Sequence, residues 1–310
     1  MWRLSMWRLL FPIILLLLLF LCLCDEARSD TLKLPRPAGE IIPGTRFDII
    51  TVRQEEGELI GKRLEHLSNA WDLLFAKFMQ NAEIDPAQDQ LAQDQLAQKQ
   101  LNQHRHRVIL YRDQREYIAH LFRIEPEIAR TNGFYHAPGR TAHFFLTEPR
   151  ILFHEGTHQI LAERFFGDAS PTFRNNFWIV EGIALFMETL KVEEDYYRIG
   201  DILANRLYAA KVYRFERNHN LPIRQLTAMS AAEIQASREL QEIYSQSAAL
   251  THWLMFAEGG RYRTALFELL RQTYHNEATP ETLSELTGLS YKELDAKYAE
   301  FLKTIPDDEP

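Results

Sequence analysis

The chain has only two cysteines among its 310 residues, Cys22 and Cys24, and both lie within the first 24 positions. The remainder has no thiol, which excludes a disulfide framework, a cysteine metal site and a cysteine nucleophile there. Basic excess is missing as well. Lys and Arg number 35 against 43 Asp and Glu, and the net charge of −8 argues against a nucleic-acid partner, which would favour a basic patch. There is no glycine-rich phosphate loop and no G-x-S-x-G nucleophile motif. What remains has ordinary globular composition, sufficient for one domain or two closely packed lobes.

Long apolar runs are scarce too. One, Leu9 to Cys24, spans 16 residues after Arg3 and Arg8, and Asp25, Glu26, Arg28 and Asp30 follow it at once. This is the layout of a secretory leader, expected over residues 1–29. Ala27-Arg28-Ser29 places small residues at −3 and −1 for cleavage before Asp30. The run is short for a membrane span of about 20 residues. Retention as an anchor and lipidation at Cys24 are the competing readings; the bulky Leu23 before Cys24 weighs against lipidation. Location is therefore expected to be secreted, periplasmic or envelope-bound, with membrane contact only through this segment.

The expected fold class is α+β, a small N-terminal sheet with helices followed by a helical C-terminal half. Residues 30–45 are Pro-rich and polar and read as a linker. Strands are expected at Phe47–Val52, Val108–Tyr111 and Thr141–Leu146. From Glu56 to Met79 the residues Leu64, Leu67, Trp71, Leu74, Phe75 and Phe78 recur at helical spacing. Within 85–103, Gln88-Asp89-Gln90-Leu91-Ala92 recurs at Gln93-Asp94-Gln95-Leu96-Ala97. One leucine every five residues fits no buried period, so this segment reads as a solvated insertion. Helices are expected from Thr147 and Pro149 to Gly167 and from Phe177 to Glu194. Further helices are expected near 201–217, 231–237, 239–258, 261–275, 280–286 and 290–304. The divisions are a mixed part over 46–200, a helical part over 201–305 and a loose acidic tail, 306–310.

The chemistry concentrates in two short runs. His154-Glu155-Gly156-Thr157-His158 is an H-E-x-x-H pattern, and Trp178-Ile179-Val180-Glu181-Gly182-Ile183-Ala184 follows on the next expected helix. Histidines four apart on a helix lie about 40° apart around its axis, so both reach one side. Two imidazoles so placed can bind one tetrahedral Zn²⁺ at about 2.0–2.1 Å each. Glu155 stands one step round, beside the metal and free to take a proton from water. Glu181 supplies the third ligand, and Gly182 and Ala184 are small enough to let its helix approach the motif helix. The fourth position stays open, as in catalytic sites. Ile151, Leu152, Phe153, Ile160, Leu161, Phe165 and Phe166 make the motif helix apolar nearly all round, hence buried. Two histidines and a glutamate there are costly without a partner such as a metal. A bare H-E-x-x-H also arises by chance, and the second run is what lowers that risk.

H-E-x-x-H-Q followed by W-I-V-E-G-I-A resembles the gluzincin clan of thermolysin-like zinc peptidases, and most of all its peptidase-MA-like exported bacterial families. The likeness covers about Phe47 to Leu302, with specificity concentrated in the two runs. It implies His154, His158 and Glu181 as ligands of one Zn²⁺ per chain, with Glu155 as general base. It also implies a sheet edge strand beside the cleft, near Thr141 to Leu146. Where thermolysin has an Asp four residues after its glutamate ligand, this chain has Leu185. Glu188, seven residues on and on the same helix face, is the substitute expected to orient a histidine. The clan uses a Tyr or His from the C-terminal half to stabilise the oxyanion. Tyr244 opens a suitable amphipathic run, which a structural tyrosine would fit equally.

Tyr135, His136, His143 and His252 are weaker candidates, each more often a packed or surface residue. His104 and His106 sit among arginines and read as solvated. The expected activity is therefore hydrolysis of peptide or protein substrates by an exported zinc metallopeptidase. The alternative is a non-catalytic zinc-bearing envelope protein that binds peptide or scaffolds a partner. An intact Glu155 favours the enzyme, because a binding protein has no need of the base.

Overall fold

The computed structural model describes residues 32–35, 46–79, 105–165, 171–202, 204–219 and 221–307. The expected leader at 1–29, the expected insertion at 85–103 and His104 lie outside the described residues. The fold is α+β. A four-stranded mixed sheet is built from β2 (Phe47–Thr51), β3 (His106–Leu110), β4 (Gly133–His136) and β5 (Thr141–Phe144), in the order β2-β3-β5-β4. β2, β3 and β5 run parallel, and β4 pairs antiparallel with β5. Parallel neighbours need crossovers. Helix α1 (Gln54–Met79) joins β2 to β3, and α2 (Gln114–Leu121) follows β3. Along α1, Leu64, Leu67, Trp71 and Leu74 are fully buried, at the helical spacing read from the sequence. Asp113 caps α2 by accepting from the Glu116 N–H.

Thr141–Phe144 is an interior strand with every residue buried, so it is not the sheet edge expected beside the cleft. The edge is β4. Its four residues are too few to show alternation, and the turn residues around it mask it in the sequence.

The motif helix α3 (Pro149–Ile160) starts after Glu148 rather than at Thr147, and its last turn opens into a π turn, Leu161–Phe165. It packs on β4 and β5 and lies between α1 and α4 (Phe177–Met187). α1 comes close because position 156 is glycine: a Cβ there would lie 2.7 Å from Leu67 Cδ2. Every residue of α4 is buried, and α8 (Leu240–Gly260) covers its other side. Gly182 serves that second contact, not the approach to α3. A Cβ there would overlap the Thr251 hydroxyl and lie 2.9 Å from the Ser247 carbonyl oxygen.

α4 ends at Met187, well short of Glu194. The chain turns instead into a hairpin, β6 (Lys191–Val192) and β7 (Tyr196–Ile199). Tyr197 and Ile199 are buried while Tyr196 and Arg198 are half-buried, the period-two pattern of a strand. β7 pairs antiparallel with β1 (Leu32–Pro35), so the expected linker holds a strand. The helical half follows with α5 (Asn205–Phe215), α6 (Ile223–Ala228), α7 (Ala231–Gln235), then α8, α9 (Arg263–Tyr274), α10 (Thr282–Thr287) and α11 (Tyr291–Thr304). Of these only α6 was not expected. Capping boxes, Ser230 with Glu233 and Ser290 with Glu293, start α7 and α11. In the tail, Asp307 pairs with Lys211 of α5. One apolar core runs from Phe47 to Ile305, with a satellite around Tyr111, Tyr117 and Leu121. Among the described residues no helix is long and apolar enough to cross a membrane.

Candidate metal centre

α3 and α4 bring His154, His158 and Glu181 together, with one ligand atom from each lying within 4.8 Å of the others. The Nε2 atoms of the two histidines are 3.2 Å apart. Glu181 Oε2 lies 3.5 Å from His154 Nε2 and 3.8 Å from His158 Nε2. Ligands about 2.0–2.1 Å from a tetrahedral ion stand about 3.3–3.4 Å from one another. The three atoms therefore match three corners of such a coordination sphere, and the trio could hold a metal ion. Glu181 is buried and the histidines are half-buried, which leaves an open side.

Glu188, at the end of α4, accepts from His154 Nδ1 at 2.8 Å, the role expected from its helix face. With Nδ1 donating to Glu188, Nε2 is the His154 atom that faces the trio, and it would be bare once a metal took the place of its proton. Arg150 sits 3.4 Å from the other Glu188 oxygen.

The charges are strongly coupled. Burial disfavours a charged His154, but Glu181 and Glu188 outweigh burial and hold the ring well above the usual imidazole range. Burial depresses His158 to about 4, only partly opposed by Glu181. Burial raises the Glu155 carboxyl. It would raise Glu181 as well, but His158, His154 and Tyr244 outweigh it and hold that carboxyl low. Carboxylates outnumber cations here, and a proton on His154 partly balances them. A metal cation would take that proton's place.

Glu155 lies outside the trio but feels the charges of His154 and Glu181, and one of its oxygens accepts the Tyr135 backbone N–H at 3.0 Å. Tyr244, on α8, lies near enough to Glu181 for each to shift the other's titration. Burial, then the charge of Glu181, push the Tyr244 phenol far up, so it remains a donor at any working pH.

His136, His143 and His252 do not join the trio. His136 stacks on Phe134, and His252 reaches the Gly200 carbonyl at 3.3 Å. His143 is buried, with Nδ1 3.0 Å from the Tyr111 hydroxyl. His106 is not solvated. It opens β3, is buried, and meets Glu163 of the π turn at 3.3 Å. Its two arginine neighbours suggest a wet environment, but β3 lies inside the sheet and the ring faces α3. Sequence reasoning missed the Tyr135 N–H, because a backbone donor has no residue signature. It also missed Tyr274, whose buried phenol feels the charge of Glu181.

No curated protein matches the chain. A family model described as a protein of unknown function, DUF1570, matches residues 150–278, a stretch that contains the trio, Glu155, Glu188 and Tyr244 but leaves out the sheet and Tyr135.

Proposed function

We propose that the chain is an exported, gluzincin-like zinc peptidase. The observation that carries this reading is the spacing of His154 Nε2, His158 Nε2 and Glu181 Oε2, with Glu155 beside them and outside the ligand set. The donor set of two imidazoles and one carboxylate fits Zn²⁺. When bound, zinc acidifies a water and polarises the scissile carbonyl as a Lewis acid.

The chain's own groups do the rest. His154, oriented by Glu188, and His158 fix the geometry together with Glu181. Glu155, with one oxygen pinned by the Tyr135 N–H, keeps the other to take the proton of the attacking water and pass it to the leaving amine. Tyr244, protonated throughout, donates to the developing oxyanion. Export rests on the leader at 1–29.

The test is metal analysis of protein purified without chelators, followed by peptide-library cleavage before and after zinc is stripped. One zinc per chain and cleavage lost on stripping and regained on reloading are expected. No stoichiometric metal would overturn the zinc reading. Full loading with no cleavage across broad libraries would favour the peptide-binding alternative.

A further inference from the structure

We propose that Asn132 and Gly133 form a self-modification site: Asn132 cyclises onto the Gly133 nitrogen, and the isoaspartate that results lengthens the main chain at the head of β4 and withdraws the N–H that holds Glu155. The catalytic meaning of this change rests on the peptidase reading; the modification itself does not.

Asn132 is the one asparagine of the sequence that a glycine follows. It is exposed, in a bend directly before the edge strand β4, and Gly133 opens that strand opposite Phe144 of β5. The Phe144 carbonyl accepts the Tyr111 N–H at 2.8 Å, so Phe144 turns its backbone groups toward β3. Gly133 and Phe144 are therefore a non-hydrogen-bonded pair, and the Gly133 N–H points away from β5. Tyr135, two residues on, points the same way, and its N–H meets Glu155 Oε2 at 3.0 Å. No ladder bond to β5 has to break before the Gly133 nitrogen attacks, and glycine puts no Cβ beside that nitrogen. The glycine is itself required, because a Cβ there would stand 3.0 Å from both Glu155 Cγ and Ile151 Cγ2 and 3.2 Å from Phe144 Cδ1. The packing that seats Glu155 against β4 thus keeps Asn132 open to attack.

The step needs only water. The deprotonated Gly133 nitrogen attacks Asn132 Cγ, the Cγ–Nδ2 bond breaks, and ammonia leaves with a proton from solvent. Water then opens the succinimide ring at either carbonyl. Opening at Cγ gives an aspartate on an unchanged main chain. Opening at the backbone carbonyl leaves the main chain running through the β-carbon, as isoaspartate. Either way amide and water become acid and ammonia, and nothing is oxidised or reduced. Gly133 is buried, which slows removal of its proton and makes conversion a matter of ageing. Isoaspartate adds one carbon to the main chain, about 1.5 Å. Gly133 is already wedged against Glu155 and Ile151, so β4 takes up that length by shifting along α3. A shift of about 1 Å in a reacting group can cost about 100-fold in rate, so the register of β4 bears on the chemistry.

The test ages the zinc-loaded full chain in alkaline buffer and, in parallel, in mildly acidic buffer. Peptide mapping should find the amide-to-acid mass gain at position 132 before any other asparagine, and faster in alkali because the attacking nitrogen must lose its proton. Isoaspartyl methyltransferase, which methylates isoaspartate but not aspartate, should label the site. Converted molecules should be about 100-fold slower, so kcat falls in step with the isoaspartate fraction while KM and zinc content hold. Deuterium exchange of the residue-135 amide should speed up about tenfold in the converted fraction, while the Leu110 amide in the sheet interior does not change. Fresh Asn132→Ser should stay within about twofold of wild type and keep its activity on ageing, and Asn132→Asp, which adds the charge without the length, should stay within about threefold.

Asparagine still intact at position 132 after alkaline ageing would overturn the proposal. So would isoaspartate there with kcat and residue-135 exchange unchanged, or Asn132→Asp as slow as the aged protein, which makes charge the cause. Equal losses on ageing in wild type and Asn132→Ser would place the damage elsewhere. If wild type cleaves nothing, the peptidase reading falls by itself, and methylation with exchange still decides whether the site converts and moves β4.

Discussion

The motif helix carries two buried clusters of histidine and glutamate, one at its middle and one where it opens into the π turn. At the π turn, Glu163 faces His106, Gln159 and Arg140. Donors surround one carboxylate, one of them a permanent cation, and the group is satisfied from within the protein. At the middle, the ratio is reversed. Glu155, Glu181 and Glu188 crowd two imidazoles, whose Nε2 atoms face each other at 3.2 Å. Acceptors converge there, and the arginine that meets this cluster, Arg150, reaches only Glu188 at its rim. The residue types are the same; the balance of donors to acceptors differs. That balance, more than the presence of His and Glu, marks which cluster could hold a cation.

The largest effect should come from unbalancing the middle cluster. Glu181→Ala removes one of three ligand atoms and should weaken zinc binding about 1,000-fold or more, read by competition with a chromogenic chelator. The same substitution type at the other cluster should do the reverse. Glu163→Leu leaves the His106 and Gln159 donors without their acceptor, and should destabilise the fold by about 3 kcal/mol in urea melts while zinc stoichiometry stays at one. If Glu163→Leu abolishes zinc binding and Glu181→Ala only destabilises, the two clusters have been assigned the wrong way round.

A smaller effect is expected one shell out. Glu188→Ala frees the His154 Nδ1 and should weaken zinc about 10- to 100-fold, with the fold intact. The smallest sharpens the comparison with a histidine that has no carboxylate partner in its hydrogen bond. His143 is buried, and burial, with His136 and His120 nearby, depresses it to about 4. The folded state refuses a proton that the unfolded chain accepts near 6.5, so stability is full above about pH 6.5 and is lost as pH falls toward 4. The slope should be about 1 kcal/mol per pH unit between pH 6 and 5. His143→Gln should flatten that part of the profile in urea melts at successive pH values; an unchanged slope would place the titration elsewhere.

How much of this was legible in the sequence follows from how local each signal is. α1 shows itself because Leu64, Leu67, Trp71 and Leu74 repeat along one face over many turns. His154 and His158 are tied by helix geometry alone, and Glu188 could be placed from Glu181 by counting round α4. The pairing of β1 with β7 joins Leu32 to Ile199, a contact with no local trace. β4 and β6 are too short for alternation to register, and the helix expected from Phe177 runs past Met187 because nothing in Glu188-Thr189-Leu190 forbids a helix. His106 was misjudged for the same reason: its neighbours in sequence are arginines, while its neighbours in space are Phe47 and Glu163.

The measurement closest to the central claim is Glu155→Gln, compared with wild type for zinc content and peptide hydrolysis in the same preparations. Glutamine keeps the shape and an acceptor for the Tyr135 N–H but cannot take a proton. The account predicts one zinc per chain in both proteins, and hydrolysis lowered by about 100-fold or more in the variant. Equal hydrolysis by the two proteins, or loss of zinc along with activity, would contradict the assignment of Glu155 as base beside a three-residue metal site.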